Sequence, residues 1–178
     1  MNQNIKKILV SEEEIINRSK ELGKQISEDY KGKNLLLVAL LKGSVPFLAE
    51  LIKYIDIDVE IDFMDVSSYA GTSSTGEVKI IKDLDTPIKG VDVIIVEDIV
   101  DTGRTTYTVK DLLLNKGANS VKIVTLLNKP EGRVCDIEAE YVAFTIPNEF
   151  VVGFGLDFNQ KYRNLPYVGV LKEECYKE

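Results

Sequence analysis

The densest collection of reactive side chains is the run Val93-Ile94-Ile95-Val96-Glu97-Asp98-Ile99-Val100-Asp101-Thr102-Gly103-Arg104-Thr105-Thr106. An apolar stretch ends in two acids, and a short loop then supplies Asp, Thr and Gly ahead of a helical pattern. Backbone N–H groups at a helix start, a glycine that lets a ligand approach the main chain, and hydroxyl donors together make a phosphate cradle. Asp101 stands where a phosphate-only site would avoid a negative charge. The competing reading makes Thr102 to Thr106 turn and cap residues, with Glu97 and Asp98 solvated. Lys42-Gly43-Ser44, between an apolar run and a helical pattern, is a second candidate anion nest.

The chain has no histidine. That removes most nucleophilic triads and the imidazole base, and leaves proton transfer to carboxylates, Lys and Tyr. Cys135 and Cys175 are far apart and form no C-x-x-C pair, so they read as reduced cytosolic thiols rather than zinc ligands. With 178 residues, 44% hydrophobic and 29% charged, the chain makes one globular domain with a real core. Its net charge of −7 argues against nucleic acid and anionic membranes as general partners, so any anionic ligand must be held locally. No window approaches the ~18 to 20 apolar residues of a membrane span, and the N-terminus has no apolar stretch before the first helix. The expected location is cytoplasmic.

The elements that would carry these residues follow from periodicity. Ser11 with Glu12, Glu13 and Glu14 forms a capping box ahead of a helix running to about Tyr30. Leu35 to Leu41 and Val91 to Val96 read as strands buried on both faces, as does Val121 to Leu127. Helices are expected from about Ser44 to Tyr54 and Thr105 to Asn115, and further strands over Val59 to Phe63 and Val78 to Ile81. Ser67 to Gly76 is polar and aperiodic, the pattern of a mobile loop. Short strands near Tyr141 to Phe144, Val151 to Val152 and Tyr167 to Leu171 are expected in a small lobe over the sheet. Alternating strands and helices imply an open α/β fold whose ligands bind beyond the carboxyl ends of the strands.

The Val93–Thr106 run resembles the phosphoribosyl pyrophosphate motif of the phosphoribosyltransferases: apolar strand, two acids, two apolar residues, then Asp-Thr-Gly-x-Thr. Leu41-Lys42-Gly43-Ser44, Ser68-Tyr69, Lys129, Ile146-Pro147-Asn148-Glu149-Phe150-Val151-Val152-Gly153, Leu156-Asp157 and Tyr162-Arg163-Asn164-Leu165-Pro166 extend the resemblance to the hypoxanthine-guanine branch, from about Leu35 to Leu171. It implies the type I phosphoribosyltransferase fold, a mainly parallel sheet flanked by helices. A small hood would be formed by the N- and C-terminal segments of a single domain over 1–178.

The resemblance also implies an activity in purine salvage. Phosphoribosyl would pass from phosphoribosyl pyrophosphate to N9 of hypoxanthine or guanine, giving IMP or GMP and pyrophosphate with Mg²⁺ as cofactor. Asp101, Thr102, Gly103, Arg104, Thr105 and Thr106 would hold the 5-phosphate, with Arg104 at the motif's variable position. Asp101 would also act as general acid/base at purine N7. Glu97 and Asp98 would bind the ribose hydroxyls directly or through the metal, and Asp157 would reach a metal on the pyrophosphate through water, beside the purine site. Lys42, Gly43 and Arg163 would bind pyrophosphate, with a cis peptide at the Lys42-Gly43 step. Lys129 would donate to the oxygen at purine C6, Phe150 would stack on the base and the Val151 backbone would meet its edge. Ser68 and Tyr69 would begin a lid. A homodimer or homotetramer is expected. The alternatives are an RNA-binding transcriptional regulator on the same fold, disfavoured by the acidic charge, and a xanthine-preferring enzyme.

Overall fold

The computed structural model describes residues 2–68 and 78–176. Six strands form the main sheet: β2 (Leu35–Leu40), β3 (Val59–Ser68), β4 (Val78–Lys82), β5 (Asp92–Val100), β6 (Ser120–Asn128) and β7 (Tyr141–Thr145), in spatial order β4-β3-β2-β5-β6-β7. All neighbours are parallel except the β3–β4 pair at one edge. The remaining strands, β1 (Ile5–Val10), β8 (Val151–Val152) and β9 (Val168–Leu171), make a separate antiparallel sheet in the order β1-β9-β8.

The unbroken apolar runs are strands because both faces of the main sheet are covered. Along β2, Leu35, Leu37 and Ala39 face α1 (Glu12–Asp29) and α2 (Val45–Leu51) in one core. Leu36, Val38 and Leu40 face α3 (Arg104–Asn115) in the other. Strand period 2 thus sends alternate residues to opposite layers. Each fully buried Leu, Ile or Val contributes roughly 1.5–3 kcal/mol relative to exposure. Helix α1 starts where the capping box places it: Ser11 Oγ accepts from the Glu14 amide, and the Glu14 carboxylate accepts from the Ser11 amide at 2.8 Å.

Three elements depart from the sequence reading. The N-terminal segment is a strand, β1, whose register with β9 shifts twice, and the resulting bulges erase the alternation that would have revealed it. Tyr141 to Thr145 belongs to the main sheet, parallel to β6, rather than to the small lobe. Strand β3 runs on through Ser68, so the first two residues of the expected Ser67 to Gly76 loop are paired with β4, and the rest of that loop lies outside the described residues.

The strand order reverses beside β2, because the chain leaves β2 for β3 on one side and returns to β5 on the other. Crevices at such reversals are where open α/β sheets bind ligands. The β2–β5 ladder stops at Ala39–Val96, whereas β5 stays paired with β6 as far as Val100–Asn128. From Glu97 onward β5 has, among the described residues, a partner on one side only, and the gap opens toward the loop after β2.

Candidate active site

Glu97 and Asp98 lie within β5 rather than beyond its end. Glu97 is 8% exposed, opposite Thr125 of β6. Burial, then the neighbouring Asp98 charge, push the Glu97 carboxyl well above the ordinary carboxylate range. Burial raises Asp98 as well, against the opposing pull of the Ile99 amide and of the Arg163 guanidinium. Two adjoining carboxylates that resist ionisation form an all-oxygen donor set which a divalent cation would relieve, so the pair fits Mg²⁺. Among the described residues no three acidic, Cys or His side chains converge.

The loop after β5 enters α3 through Gly103, whose φ of +81° is open to glycine and strained for other residues. Among the described residues no side chain caps this helix, in contrast to α1, and the Arg104 amide reaches Thr102 Oγ1 at 3.4 Å. The first amides of α3 therefore face the loop with their donor capacity unspent. Thr102 and Arg104 are exposed and Thr105 is half-buried, while Thr106 is covered to 2% exposure.

Asp101 is tied to Lys129: Nζ lies 3.0 Å from Asp101 Oδ2, and the Lys129 amide donates to the Val100 carbonyl at 3.0 Å. Sequence reasoning missed the clamp behind this pair. Arg133 donates from Nε to the Asp101 carbonyl at 3.0 Å, from Nη2 to the Val100 carbonyl at 3.2 Å and Asn128 Oδ1 at 2.6 Å, and from Nη1 to the Ile137 carbonyl. The Val134 amide adds a bond to the Thr102 carbonyl at 3.0 Å. One guanidinium thereby holds the phosphate-type loop against the turn that carries Lys129. The pattern Lys129-Pro130-Glu131-Gly132-Arg133 marks a turn, but nothing local discloses acceptors some thirty residues away.

Gly43 is buried with its α-carbon against Asp98: a Cβ there would lie 1.7 Å from Asp98 Oδ2. A Cβ on Gly155 would likewise lie 1.9 Å from the Gly43 carbonyl oxygen. Lys42 is exposed, and the cis peptide falls at Leu41-Lys42, one step before the expected Lys42-Gly43 bond. Arg163 pairs through Nη2 with Asp157 Oδ1 at 2.9 Å and donates from Nη1 to the Gly155 carbonyl at 2.7 Å. Asp157 Oδ2 also accepts from the Gln160 amide at 2.8 Å. The two expected pyrophosphate and metal groups therefore hold each other.

Phe150 is 39% exposed. The Leu171 amide donates to the Phe150 carbonyl at 3.0 Å, with Val151 opposite Val170. Alternation of backbone direction then turns the Val151 N–H and C=O away from β9, toward the edge of β8 that no strand occupies among the described residues. Lys7 of β1 braces the same loop through Glu149 at 2.9 Å. Ser68 is the last residue of β3, and Tyr69 lies outside the described residues.

A sheet reversal flanked by an uncapped helix start, a buried acid pair and a strand edge beside an aromatic ring marks an α/β protein with its polar groups gathered at one end of the sheet. The phosphoribosyl transferase domain model matches residues 7–159. Hypoxanthine-guanine phosphoribosyltransferases of Streptococcus thermophilus and Streptococcus mutans are 63% identical over 179 residues, covering 100% of this chain and 99% of theirs. A hypoxanthine phosphoribosyltransferase structure from Staphylococcus aureus superposes with a TM-score of 0.96 at 55% identity, covering 98% of this chain and 96% of that one. The Trypanosoma cruzi enzyme in complex with the product IMP gives 0.94 at 41% identity, covering 99% of each chain. The chain belongs to the phosphoribosyltransferase family, on its hypoxanthine-guanine branch, and has the type I fold. Among the described residues no helix is long and apolar enough to cross a membrane.

Proposed function

We propose that this chain is a Mg²⁺-dependent purine-salvage enzyme that transfers phosphoribosyl from phosphoribosyl pyrophosphate to N9 of hypoxanthine or guanine. The observation that carries the reading is the Asp101–Lys129 pair, which puts a proton acceptor and a cationic donor 3.0 Å apart at the head of the phosphate-type loop. A 6-oxopurine offers complementary groups side by side, a proton at N7 and an oxygen at C6. Adenine, with an amino group at C6, would set one donor against another.

In this reading the amides of α3 with Thr102, Gly103, Arg104, Thr105 and Thr106 hold the 5-phosphate. Lys42, Gly43 and Arg163 take the pyrophosphate, which requires Arg163 to exchange part of its bonding to Asp157. Lys129 receives the C6 oxygen, Phe150 stacks on the base and the free edge of Val151 meets its rim, with Asp157 beside it. Glu97 and Asp98 hold the ribose hydroxyls or the metal, and Asp157 reaches a metal through water. Mg²⁺, when bound, neutralises pyrophosphate oxygens and eases departure of the leaving group. The N9–C1 bond forms as the bond from C1 to pyrophosphate breaks, and the purine proton passes to Asp101. The barrier is lowered mainly by alignment and by charge placed where the oxocarbenium-like sugar develops. Ser68 and Tyr69 would begin the lid that keeps water out.

The same reading makes the protein a cytoplasmic homodimer or homotetramer whose small sheet serves as a hood. Exposed Ile61, Ile80 and Ile81, at 46%, 39% and 61%, offer apolar surface for self-association. Incubation with phosphoribosyl pyrophosphate, Mg²⁺ and, separately, hypoxanthine, guanine, xanthine, adenine and uracil, with a chelator control, tests the proposal. IMP and GMP formed only with metal support it. No nucleotide from any base, or product unaffected by chelation, would refute it.

A further inference from the structure

Residues 172–176, after β9, fold back against Asn4 and Phe150. The Lys172 amide donates to the Asn4 carbonyl at 3.0 Å, a single turn of 3-10 helix spans Glu173–Cys175, and the Tyr176 amide closes it on the Glu173 carbonyl at 3.1 Å. This return lays the Tyr176 ring on the Phe150 ring, with centroids 4.6 Å apart and planes 21° from parallel. Phe158 stands edge-on to both, at 5.8 Å and 86° from Phe150 and at 6.5 Å and 66° from Tyr176. Tyr176 and Phe158 pack in the cluster built on Ile5, Val152 and Leu171, the face of the small sheet opposite Val151, Val168 and Val170, which join the main core.

From this geometry we infer that Tyr176 is a positioning residue for the purine: it covers one face of Phe150, locks that ring and leaves its other face as the base platform. The inference deepens the proposed function, resting on its assignment of Phe150 to the base. A half-exposed Phe on a short loop is free to swing about two side-chain torsions, and a ligand that must order it loses affinity by doing so. A stacked ring on one side and an edge contact on another fix the orientation during folding instead. The plane is then set before the base arrives, beside the free backbone edge of Val151. The C-terminal segment, charged in sequence and outside every recognised motif, thus acts on base affinity through the Phe150 ring.

The test compares Tyr176→Ala, Tyr176→Phe and Tyr176→Trp with the unaltered chain in steady-state transfer. For Tyr176→Ala the KM for hypoxanthine is expected to rise about three- to tenfold, the range set by aromatic pair energies. The KM for phosphoribosyl pyrophosphate and kcat should stay within about twofold, and Tyr176→Phe should restore the unaltered values. The chain has no tryptophan. Tyr176→Trp therefore adds a single indole, whose fluorescence should change on titration with IMP and not with pyrophosphate. An unmoved hypoxanthine KM in Tyr176→Ala, or a lowered one showing that the tyrosine ring stands where the base belongs, would overturn the inference. So would equal losses in all three constants together with a fall in Tm that Tyr176→Phe does not rescue. Absence of transfer by the unaltered chain with any base would instead remove the assignment beneath it.

Discussion

Replacing Gly132 by alanine perturbs the proposed acid/base group without touching it chemically. Gly132 does not have a left-handed backbone, so its main chain accepts a side chain. The new Cβ, however, would lie 1.9 Å from Asp101 Oδ1 and 3.2 Å from its Cγ. Reaching ordinary van der Waals separation moves the carboxylate oxygen by about 1.5 Å, which stretches the 3.0 Å contact between Asp101 Oδ2 and Lys129. Misplacement on that scale costs on the order of 100-fold in turnover, or about 2.7 kcal/mol in the barrier. Stability should suffer far less: an off-rotamer aspartate costs roughly 0.5–1.5 kcal/mol, a Tm fall of at most about 6 °C in a chain of this size. The assay is kcat and both KM values with hypoxanthine, alongside a thermal melt, repeated in an Asp101→Ala background. There the methyl group has no carboxylate to displace, and Gly132→Ala should cost nothing further. A kcat within threefold of the unaltered chain, or the same fold-loss in both backgrounds, would refute the reasoning.

Lys129→Ala should raise the KM for hypoxanthine about 10- to 100-fold, the value of one hydrogen bond from a charged donor, while calorimetric affinity for phosphoribosyl pyrophosphate stays within about twofold. Equal losses for both ligands would contradict the assignment. Arg133→Met strands the carbonyls of Val100, Asp101 and Ile137 and should lower stability by about 2–4 kcal/mol, a Tm fall on the order of 10 °C, with Arg133→Lys falling between. A Tm within about 2 °C of the unaltered chain would show the clamp to be idle. Asp62 bears on pH dependence: burial raises its carboxyl, but bonds from the Asp85 and Phe63 amides and from Lys82 more than offset this and hold it low. The folded chain thus binds the Asp62 proton more weakly than the unfolded chain does. Its stabilisation is fully present above the ordinary value of 3.8 and is lost as pH falls through the depressed folded-state value. Asp62→Asn should cost about 1–2 kcal/mol at pH 7 and flatten the Tm–pH curve below pH 4, and an unchanged acid limb would exclude Asp62 from it.

The phosphate-type loop was legible because its parts are contiguous: strand, acids, glycine and helix start occupy a single stretch from Val93 to Thr106. The buried strands were legible because two covered faces leave no polar positions to interrupt the run. Strand β1 was hidden by its bulges, and the main-sheet position of Tyr141 to Thr145 by an edge strand with one fully buried residue. Arg133 and Tyr176 were hidden for another reason. Arg133 reaches the Val100 and Asp101 carbonyls more than thirty positions away, and main-chain oxygens carry no side-chain signature; Tyr176 reaches the Phe150 ring twenty-six positions away, and nothing in the spacing links the two. The contact between Gly43 and Asp98 belongs to the same class, since a close main-chain approach shows in sequence only as one more glycine.

The topology explains why these long-range contacts converge. Strand β5 loses its β2 neighbour after Val96 yet continues four residues further on β6, so its last turn of chain presents Glu97 and Asp98 to the gap and delivers Asp101 beyond it. The chain following β2 enters that gap at Gly43, against Asp98, and the loop after β8 closes over it at Gly155, against the Gly43 carbonyl. The segment following β6 enters from the other side, with Lys129 and Arg133 fastened to Asp101 and Val100. Four segments thus meet around one strand end: the end of β5 brings an acid pair, the chain after β2 a backbone nest, the segment after β6 a cation, and the loop after β8 a close main-chain approach at Gly155. A bisubstrate reaction that must hold two phosphorylated ends and a flat base in one alignment needs such a meeting point, and the reversal of strand order beside β2 provides it.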